Sequence, residues 1–347
     1  MLLEKSKYSG CLGYTDEDDS GVFKGLEGHS IIYFGPGKWE GMWRNRHQLM
    51  SRFARHNKVL YVEPVVYLKK VRHLLRQRRS GWNELWQAAK QKRITRAAEN
   101  LYIYHSPAYI PISGRFPLDK ITWWVWNLLF KQTMKRLGFI RPIIWLSRPE
   151  MSCFIGNFNE KLIIYHVVDE YLSYGEMDVE TRAKLEKLEQ QVLEKADLVI
   201  VVSEKLHATK SVFNKHTYLV SNGVDYASYS KALTDDTPMP SDISQLPKPV
   251  IGYSGLISRR LDLGLIGYIA KSHTEWSLVL IGEVNDGGCE NELNRLREMK
   301  NVYFLGIKEI TQVPHYVRVF DVCIVPYKLN EQTENLSPLK LYDFMAM

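Results

Sequence analysis

The fold is decided by KLIIYHVVDE (161–170), which is followed closely by ETRAKLEKLEQQVLEKA (180–196) and DLVIVVS (197–203). The first and third stretches are short apolar runs rich in β-branched residues, which is typical of buried strands. In the middle stretch apolar residues recur every three or four positions, so it predicts an amphipathic helix. A strand, a helix and a strand in succession form a βαβ unit and predict a parallel sheet covered by helices.

The same alternation extends from this unit in both directions. Towards the N-terminus it predicts a helix at 44–56 and strands at 30–35, 58–64, 100–107 and 142–149. A polar, proline-containing stretch at 226–248 is predicted to be a linker. Beyond it the alternation restarts, with predicted strands at 249–255, 277–283, 301–306 and 321–327.

The chain therefore predicts an α/β fold with two Rossmann-like, doubly wound domains. We expect them at 29–225 and 249–347, after a loose N-terminal lead-in at 1–28. Such sheets bind ligands at the carboxyl ends of their strands, so two of them are expected to face a common cleft.

The composition is that of an ordinary globular protein, with 45% hydrophobic and 24% charged residues in 347. Four cysteines without a CxxC pair indicate a reducing compartment, and the first residues do not form a signal peptide. No apolar run approaches the roughly 18 residues that a membrane span requires. We expect a cytoplasmic protein.

The net charge of +7 is unevenly distributed, because residues 241–347 alone carry a balance of −2. The excess peaks at 69–96, which holds ten basic residues and one acid together with Trp82 and Trp86. Such a segment suits an anionic membrane surface or nucleic acid, and a solvated helical face is an equally good interpretation. No nucleic-acid-binding motif accompanies it, so membrane contact is the preferred functional interpretation.

The first candidate site is FGPGKWEGMWRNR (34–46), a strand followed by a glycine loop and a helix. Its glycines, including Gly37, would let the backbone approach a ligand, and Trp39 or Arg44 would contact an acceptor. The spacing is not GxGxxG, so an NAD site is poorly supported. A plain strand-to-helix turn is the alternative.

The second candidate is YHVVDEY (165–171), in which Asp169 follows a central strand. An acid in that position is well placed for a site, although it could simply cap the next turn. His166, in mid-strand, is better explained as a core histidine.

The third candidate is GYSGLISRRLD (252–262), where Gly255 ends a strand and two arginines precede a helix. A tight turn with an arginine fork suits a diphosphate, which would be held by Arg260 or by Arg259. A surface basic pair is the alternative.

The fourth candidate is SPLKLYDFMAM (337–347), which predicts a helix capped by Ser337 with Pro338 in the first helical position. Free N–H groups at a helix start, together with Lys340, would bind phosphate, and Asp343 could accept from a sugar hydroxyl. An ordinary capped helix is the alternative.

Taken in order, these pieces resemble the GT-B glycosyltransferases of the group-1 type, which are retaining and family-4-like. More narrowly, they resemble the teichuronic-acid-biosynthesis type. The resemblance rests on GYSGLI (252–257) and SPLKLYDFMAM (337–347) from the third and fourth candidates. It also rests on EKADLVIVVSEKL (194–206), SNGVD (221–225), NVYFLG (301–306) and DVCIVPY (321–327).

The resemblance implies a nucleotide-sugar donor bound mainly by the second domain. The ribose-binding acid of the family's Glu-x7-Glu motif corresponds to Asp343. The sugar-contacting acid corresponds to Asn335, an amide, with Glu334 beside it. Lys340 and Arg260 stand in for the family's diphosphate-binding pair, and the acceptor-side residue corresponds to Asp169. The resemblance also implies a further strand and helices beyond residue 347, so a C-terminally truncated fold is expected.

The expected activity is transfer of a hexosyl group from a nucleoside-diphosphate sugar to an acceptor hydroxyl, in cell-surface polysaccharide or glycolipid assembly. No cofactor, metal or nucleic acid is expected, since no Asp-x-Asp motif follows a strand. A lipid-linked or polysaccharide acceptor and contact of 69–96 with the inner face of the cell membrane are part of this expectation. The alternative is a non-catalytic nucleotide-sugar-binding subunit or an inactive fragment.

Overall fold

The computed structural model describes residues 27–41, 43–76, 82–83, 86–87, 90–112, 117–173, 177–234 and 236–347. Most of the predicted lead-in and part of the basic segment 69–96 lie outside these residues. The chain divides into two compact units, Met1–Leu219 and Val220–Met347. Both are α/β units with a mostly parallel sheet, as the alternation of strands and helices predicts.

The first unit is built on an eight-stranded sheet. Its strands are β1 (Ser30–Phe34), β2 (Lys58–Val62), β3 (Ile94–Ala98), β4 (Leu101–Tyr104), β5 (Ile143–Leu146), β6 (Leu162–Val167), β7 (Leu198–Val201) and β8 (Thr217–Leu219). They lie in the order β3-β4-β2-β1-β5-β6-β7-β8. Only β3, at the edge, runs antiparallel to its neighbour among these strands.

Five α-helices of the described residues accompany this sheet: α1 (Asn45–His56), α2 (Leu68–Arg76), α3 (Leu118–Leu137), α4 (Val179–Lys195) and α5 (Glu204–Lys210). Successive strand residues alternate between two buried clusters. Ile32 and Leu60 belong to one cluster, and Ile31 and Val59 belong to the other. Because both faces of the sheet are covered, the strand sequences are continuous apolar runs.

The chain contains an aromatic-rich run, ITWWVWNLLF (121–130), and this run lies within α3. Trp126 and Phe130 are fully buried and stack at 4.9 Å between ring centroids, whereas Trp124 is 65% exposed. None of the helices that the structure describes is long and apolar enough to cross a membrane.

The second unit holds a four-stranded parallel sheet. Its strands are β9 (Val250–Ser254), β10 (Ser277–Ile281), β11 (Val302–Gly306) and β12 (Val322–Cys323), in the order β11-β10-β9-β12. Its helices are α6 (Tyr226–Thr234), α7 (Ser241–Ser244), α8 (Leu263–Ser272), α9 (Glu290–Arg297), α10 (Val313–Val317), α11 (Glu331–Glu334) and α12 (Leu339–Met345). The strand order reverses between β9 and β12, so the open-sheet rule places a ligand beyond the end of β9.

The segment 226–248, for which the sequence predicts a linker, contains α6 and α7 within the second unit. Tyr229 and Ala232 of α6 are buried, and so is Ile243 of α7. These apolar contacts stabilise helices whose polar, proline-containing sequence gives little local signal.

Candidate functional site

Gly255 lies directly after β9, at the point where the second sheet's strand order reverses. Its φ of +148° favours glycine, and a Cβ atom here would stand 2.8 Å from Lys340 Cε. Its N–H donates to the Ile281 carbonyl at 2.8 Å. Gly255 therefore makes room for the Lys340 side chain, and its own backbone donor is already engaged.

Lys340 extends over this strand end. Its ammonium group donates to the Tyr327 hydroxyl at 2.5 Å and lies 4.9 Å from the Tyr327 ring centroid and 5.1 Å from that of Tyr253. Two aromatic faces and a hydroxyl thus hold the cation at the ligand-binding edge. The structure brings together Gly255 and Lys340, which the sequence predicted as parts of one site.

Arg260 belongs to the same cluster. Burial raises the pKa of the Tyr253 phenol, and the Arg260 charge opposes that rise. Arg260 is half-buried, whereas the neighbouring Arg259 is exposed. The Arg260 carbonyl accepts from the Lys328 N–H at 3.0 Å, next to Tyr327, so of the two arginines Arg260 is the one tied to the segment that contacts Lys340.

Helix α12 begins differently from the prediction. Pro338 is the N-cap residue, no side chain caps the helix, and Leu339 is the first helical residue. The Ser337 hydroxyl instead lies 2.9 Å from the Tyr342 hydroxyl, and its carbonyl accepts from Asn222 Nδ2 at 2.7 Å. The prediction that Ser337 caps the helix is wrong, because these contacts hold it one residue before the cap.

Asp343 lies in the last part of α12 and faces Tyr229 of α6. Burial raises the pKa of the Asp343 carboxyl to about 6, although the Tyr229 hydrogen bond and the Lys340 charge lower it. Asp225 is close enough for its charge to add to the rise. Tyr229 was missed by the sequence reasoning, because it lies in the segment interpreted as a linker.

Glu334 is the last residue of helix α11 and Asn335 is its C-cap residue, and the two side chains differ in exposure to solvent. Asn335 is 3% exposed, whereas Glu334 is exposed. The amide is therefore the one of the two that is built into the protein interior.

In the first unit, Asp169 lies two residues after β6 and is half-buried. Its neighbour Glu170 forms an ion pair of 2.9 Å with Lys210, which also bonds Glu189 at 3.0 Å. Lys210 is 4% exposed, so a buried lysine anchors the loop that carries Asp169. This anchor could not be predicted from the sequence, because Glu170, Glu189 and Lys210 are far apart in the chain.

The glycine loop after β1 is held by core contacts. A Cβ at Gly35 would overlap the Tyr61 ring, at 2.1 Å, and the Tyr61 hydroxyl donates to the Gly37 carbonyl at 2.6 Å. Trp39 is only 6% exposed and packs edge-on against His47 and Tyr61. The expectation that the Trp39 indole contacts an acceptor is therefore not supported by its position, because these contacts put it in the core.

His47 holds this loop as a neutral side chain. Burial lowers its pKa to about 3, and the Arg46 charge adds to that effect. Its Nδ1 accepts from the Arg44 N–H at 2.8 Å, and its Nε2 lies 2.8 Å from the Trp39 carbonyl. Arg44 itself is exposed at the start of α1.

A buried pair that the sequence reasoning missed lies at the ends of β2 and β4. Glu63 and His105 are 2.9 Å apart, and the Glu63 carboxylate also accepts from the Trp39 N–H at 3.0 Å. The sequence feature that could have indicated this pair is Glu63, an acid directly after the buried strand β2. Within the described residues, no group of three or more His, Cys, Asp or Glu is arranged to hold a metal ion.

No protein-family profile matches the chain. A curated protein of Bacillus subtilis (strain 168), named "Putative teichuronic acid biosynthesis glycosyltransferase TuaH", is 29% identical over 217 residues. The match covers 59% of this chain and 53% of the relative, so it spans about half the relative's length.

Solved structures extend the likeness over both units. Sucrose-phosphate synthase from Thermosynechococcus elongatus has a TM-score of 0.56 and 17% identity, covering 87% of this chain and 77% of that one. The Anabaena protein Alr3699/HepE, solved in complex with UDP, has a TM-score of 0.52 and 15% identity, covering 92% and 78%. The chain therefore has the α/β fold of the GT-B glycosyltransferases.

Proposed function

We propose that this protein is a glycosyltransferase that transfers a hexosyl group from a nucleoside-diphosphate sugar to an acceptor hydroxyl. The observation that carries the proposal is the position of Lys340. Its ammonium group lies over Gly255 at the strand-order reversal of the second sheet, between the rings of Tyr253 and Tyr327. That is where an open α/β sheet binds its ligand.

The chemistry requires cations at this edge. When the sugar departs, negative charge grows on the nucleoside diphosphate and positive charge grows at the anomeric carbon. Lys340 and Arg260 would stabilise the diphosphate, because preoriented positive groups stabilise developing negative charge. In this proposal Gly255 and Ser337 shape the diphosphate site, but the Gly255 N–H does not donate to it.

Asp343 is the proposed partner of a ribose hydroxyl. With its pKa raised to about 6, it is mostly ionised at pH 7.5 and can accept a hydrogen bond. Asn335 stands where the resemblance implies an acid, but it is only 3% exposed, so the donor-sugar contact is proposed for the exposed Glu334 beside it.

On the first unit, we propose Asp169 as the group that orients or polarises the acceptor hydroxyl. The Lys210–Glu170 pair next to it restricts the loop, which supports a positioned side chain. The Gly37 backbone and the exposed Arg44 are the remaining proposed acceptor contacts.

The acceptor is proposed to be a lipid-linked or polysaccharide intermediate of cell-surface assembly. The name of the Bacillus subtilis relative, which refers to teichuronic acid biosynthesis, supports that class. Trp82 and Trp86 are 62% and 64% exposed within the basic segment 69–96, and Lys90 lies 4.8 Å from the Trp86 ring. These features support a cytoplasmic protein that contacts the inner face of the cell membrane.

A thermal-shift panel of UDP, GDP and TDP sugars tests the donor site. A donor at 100 times its Kd should stabilise the protein by about 2.7 kcal/mol. Lys340→Ala should weaken the response at least about tenfold in ligand concentration, because one charge-assisted contact is lost. Lys271→Ala, which removes an exposed lysine of α8, is the matched control.

Turnover separates the enzyme from a non-catalytic binding subunit, which Asn335 in place of an acid would suit. Sugar transfer to a lipid-linked acceptor, or hydrolysis of the responding donor, supports the enzyme. A donor that binds with an unaltered response in Lys340→Ala and Asp343→Ala would contradict the proposed site.

A further inference from the structure

Helix α3 has two apolar faces on opposite sides. At about 100° per residue, Trp126, Phe130 and Met134 fall on one face, and all three are buried. The opposite face carries Leu118, Ile121, Trp124 and Leu128, which are 57%, 56%, 65% and 44% exposed. A helix that packs against a sheet on one side normally has a polar outer side. An exposed apolar stripe on that side therefore indicates an interaction site.

The surroundings of the stripe are basic. Helix α3 contains only one acid, Asp119. Four exposed basic residues of the same helix flank the stripe: Lys120, Lys131, Lys135 and Arg136. Tyr67, which is half exposed, directly precedes the basic helix α2; burial raises the pKa of its phenol, and the Asp119 charge adds to the rise. The outer stripe of α3 is therefore flanked mainly by basic side chains.

We propose that the outer face of α3 docks on an anionic lipid surface. Leucine, isoleucine and tryptophan side chains enter the boundary between headgroups and acyl chains, while the flanking cations pair with anionic headgroups. The helix lies along the surface, because its five charged residues do not allow it to span a bilayer. This deepens the membrane contact given under the proposed function by naming the surface that makes it.

A second copy of the chain is a poorer occupant. From Leu118 to Leu128 the stripe extends about 15 Å along the helix. A stable dimer buries about 800 Å² on each partner, with some 20–30 residues, which four side chains do not supply. Two copies meeting at this face would also bring their lysines together. An anionic bilayer fits both the small apolar area and the charge.

Vesicle co-sedimentation of the full chain tests the proposal. The protein should sediment with phosphatidylcholine–phosphatidylglycerol vesicles (70:30) and remain in solution with pure phosphatidylcholine. Ile121→Ser combined with Trp124→Ser should reduce the bound fraction at least about tenfold, because two inserted side chains are removed. Tyr268→Ser, which alters a 70% exposed aromatic of α8, should leave it unchanged.

A charge variant tests whether the basic residues of α3 contribute to vesicle binding. Lys131→Glu with Lys135→Glu should also lower binding at least tenfold, since each basic residue near the surface contributes about 1 kcal/mol. Lys184→Glu with Lys187→Glu, on the exposed side of α4, is the matched control. Wild-type binding should weaken as sodium chloride is raised, because salt screens the attraction.

Three results would overturn the proposal: no sedimentation of the wild type, equal sedimentation of wild type and both α3 variants, or a dimer that Ile121→Ser with Trp124→Ser dissociates in analytical ultracentrifugation. The nucleotide-induced melting shift is measured in parallel. A retained shift shows that the variants are folded, and its absence from the wild type would count against the donor site alone.

Discussion

At the scale of the residue, the proposed donor site depends on two glycines that touch. A Cβ at Gly282 would stand 2.0 Å from the carbonyl oxygen of Gly255, and both residues have positive φ, +137° and +148°. The Gly282 N–H donates to the Gly306 carbonyl at 2.8 Å, which fixes this strand end to its neighbour. The surface on which the Lys340 side chain lies is therefore formed by the backbone of Gly255 and Gly282, which leaves no space for a side chain at either position.

Gly282→Ala should destabilise the protein by about 2 kcal/mol or more, because a backbone oxygen cannot move aside and the conformation is strained for alanine. Urea denaturation measures the change. Gly267→Ala, in the middle of α8, is the matched control. Its Cβ meets only flexible side-chain ends at 3.5 and 3.6 Å, so a gain of about 0.5–1 kcal/mol is expected. Equal effects at the two positions would contradict the proposed packing.

At the scale of the element, the loop after β6 is fixed by two helices. Lys210 of α5 and Glu189 of α4 are both buried, and the Lys210 ammonium joins Glu189 to Glu170 of the loop. Burial raises the pKa of Glu189, with the Lys210 charge opposing the rise. The lysine therefore compensates two carboxyl groups at once.

Lys210→Met should cost about 3–5 kcal/mol in the free energy of unfolding, because it leaves buried acids without their cation. Adding Glu189→Gln should recover part of the loss, since it removes the repulsion between the acids. Arg182→Met breaks an exposed pair of the same kind on α4 and should cost less than about 1 kcal/mol. A Lys210→Met loss no larger than that of Arg182→Met would contradict a buried network.

The elements also show what the sequence could and could not predict. Strands such as β6 and β10 are continuous apolar runs, so their patterns predicted them. The edge strand β3 was missed, because its residues include Thr95 and Arg96 and its pairing is supplied by β4. The place of Trp39 in the core was also not predictable, since its partners Tyr61 and Glu63 come from another strand end.

At the scale of the whole molecule, the proposed donor contacts all belong to the second unit. Gly255, Arg260, Lys340 and Asp343 lie between Val220 and Met347, and they are contributed by segments up to 88 residues apart. The charge balance also changes along the chain, because residues 241–347 carry −2 of the net charge of +7. The basic excess lies in residues 1–240, away from the donor residues in sequence.

Hydrogen–deuterium exchange with saturating UDP should therefore protect amides of the second unit. The expected peptides cover 252–262, 277–283 and 326–343, because ligand binding suppresses local opening around its contacts. Peptides of β1 to β8 serve as the internal reference. Protection confined to the first unit, or none at a concentration that raises the melting temperature, would contradict the assignment of the donor site.

The contact between Gly255 and Gly282 also limits how this protein can be recombined with its relatives. A chimera that imports the segment after β10 from a chain with a side chain at the equivalent of Gly282 would press that side chain against the Gly255 carbonyl. The two strand ends have to be exchanged as one module, whatever the sequence distance between them. Library design for altered donor preference would keep both positions constant and vary Tyr253, Tyr327 and Glu334.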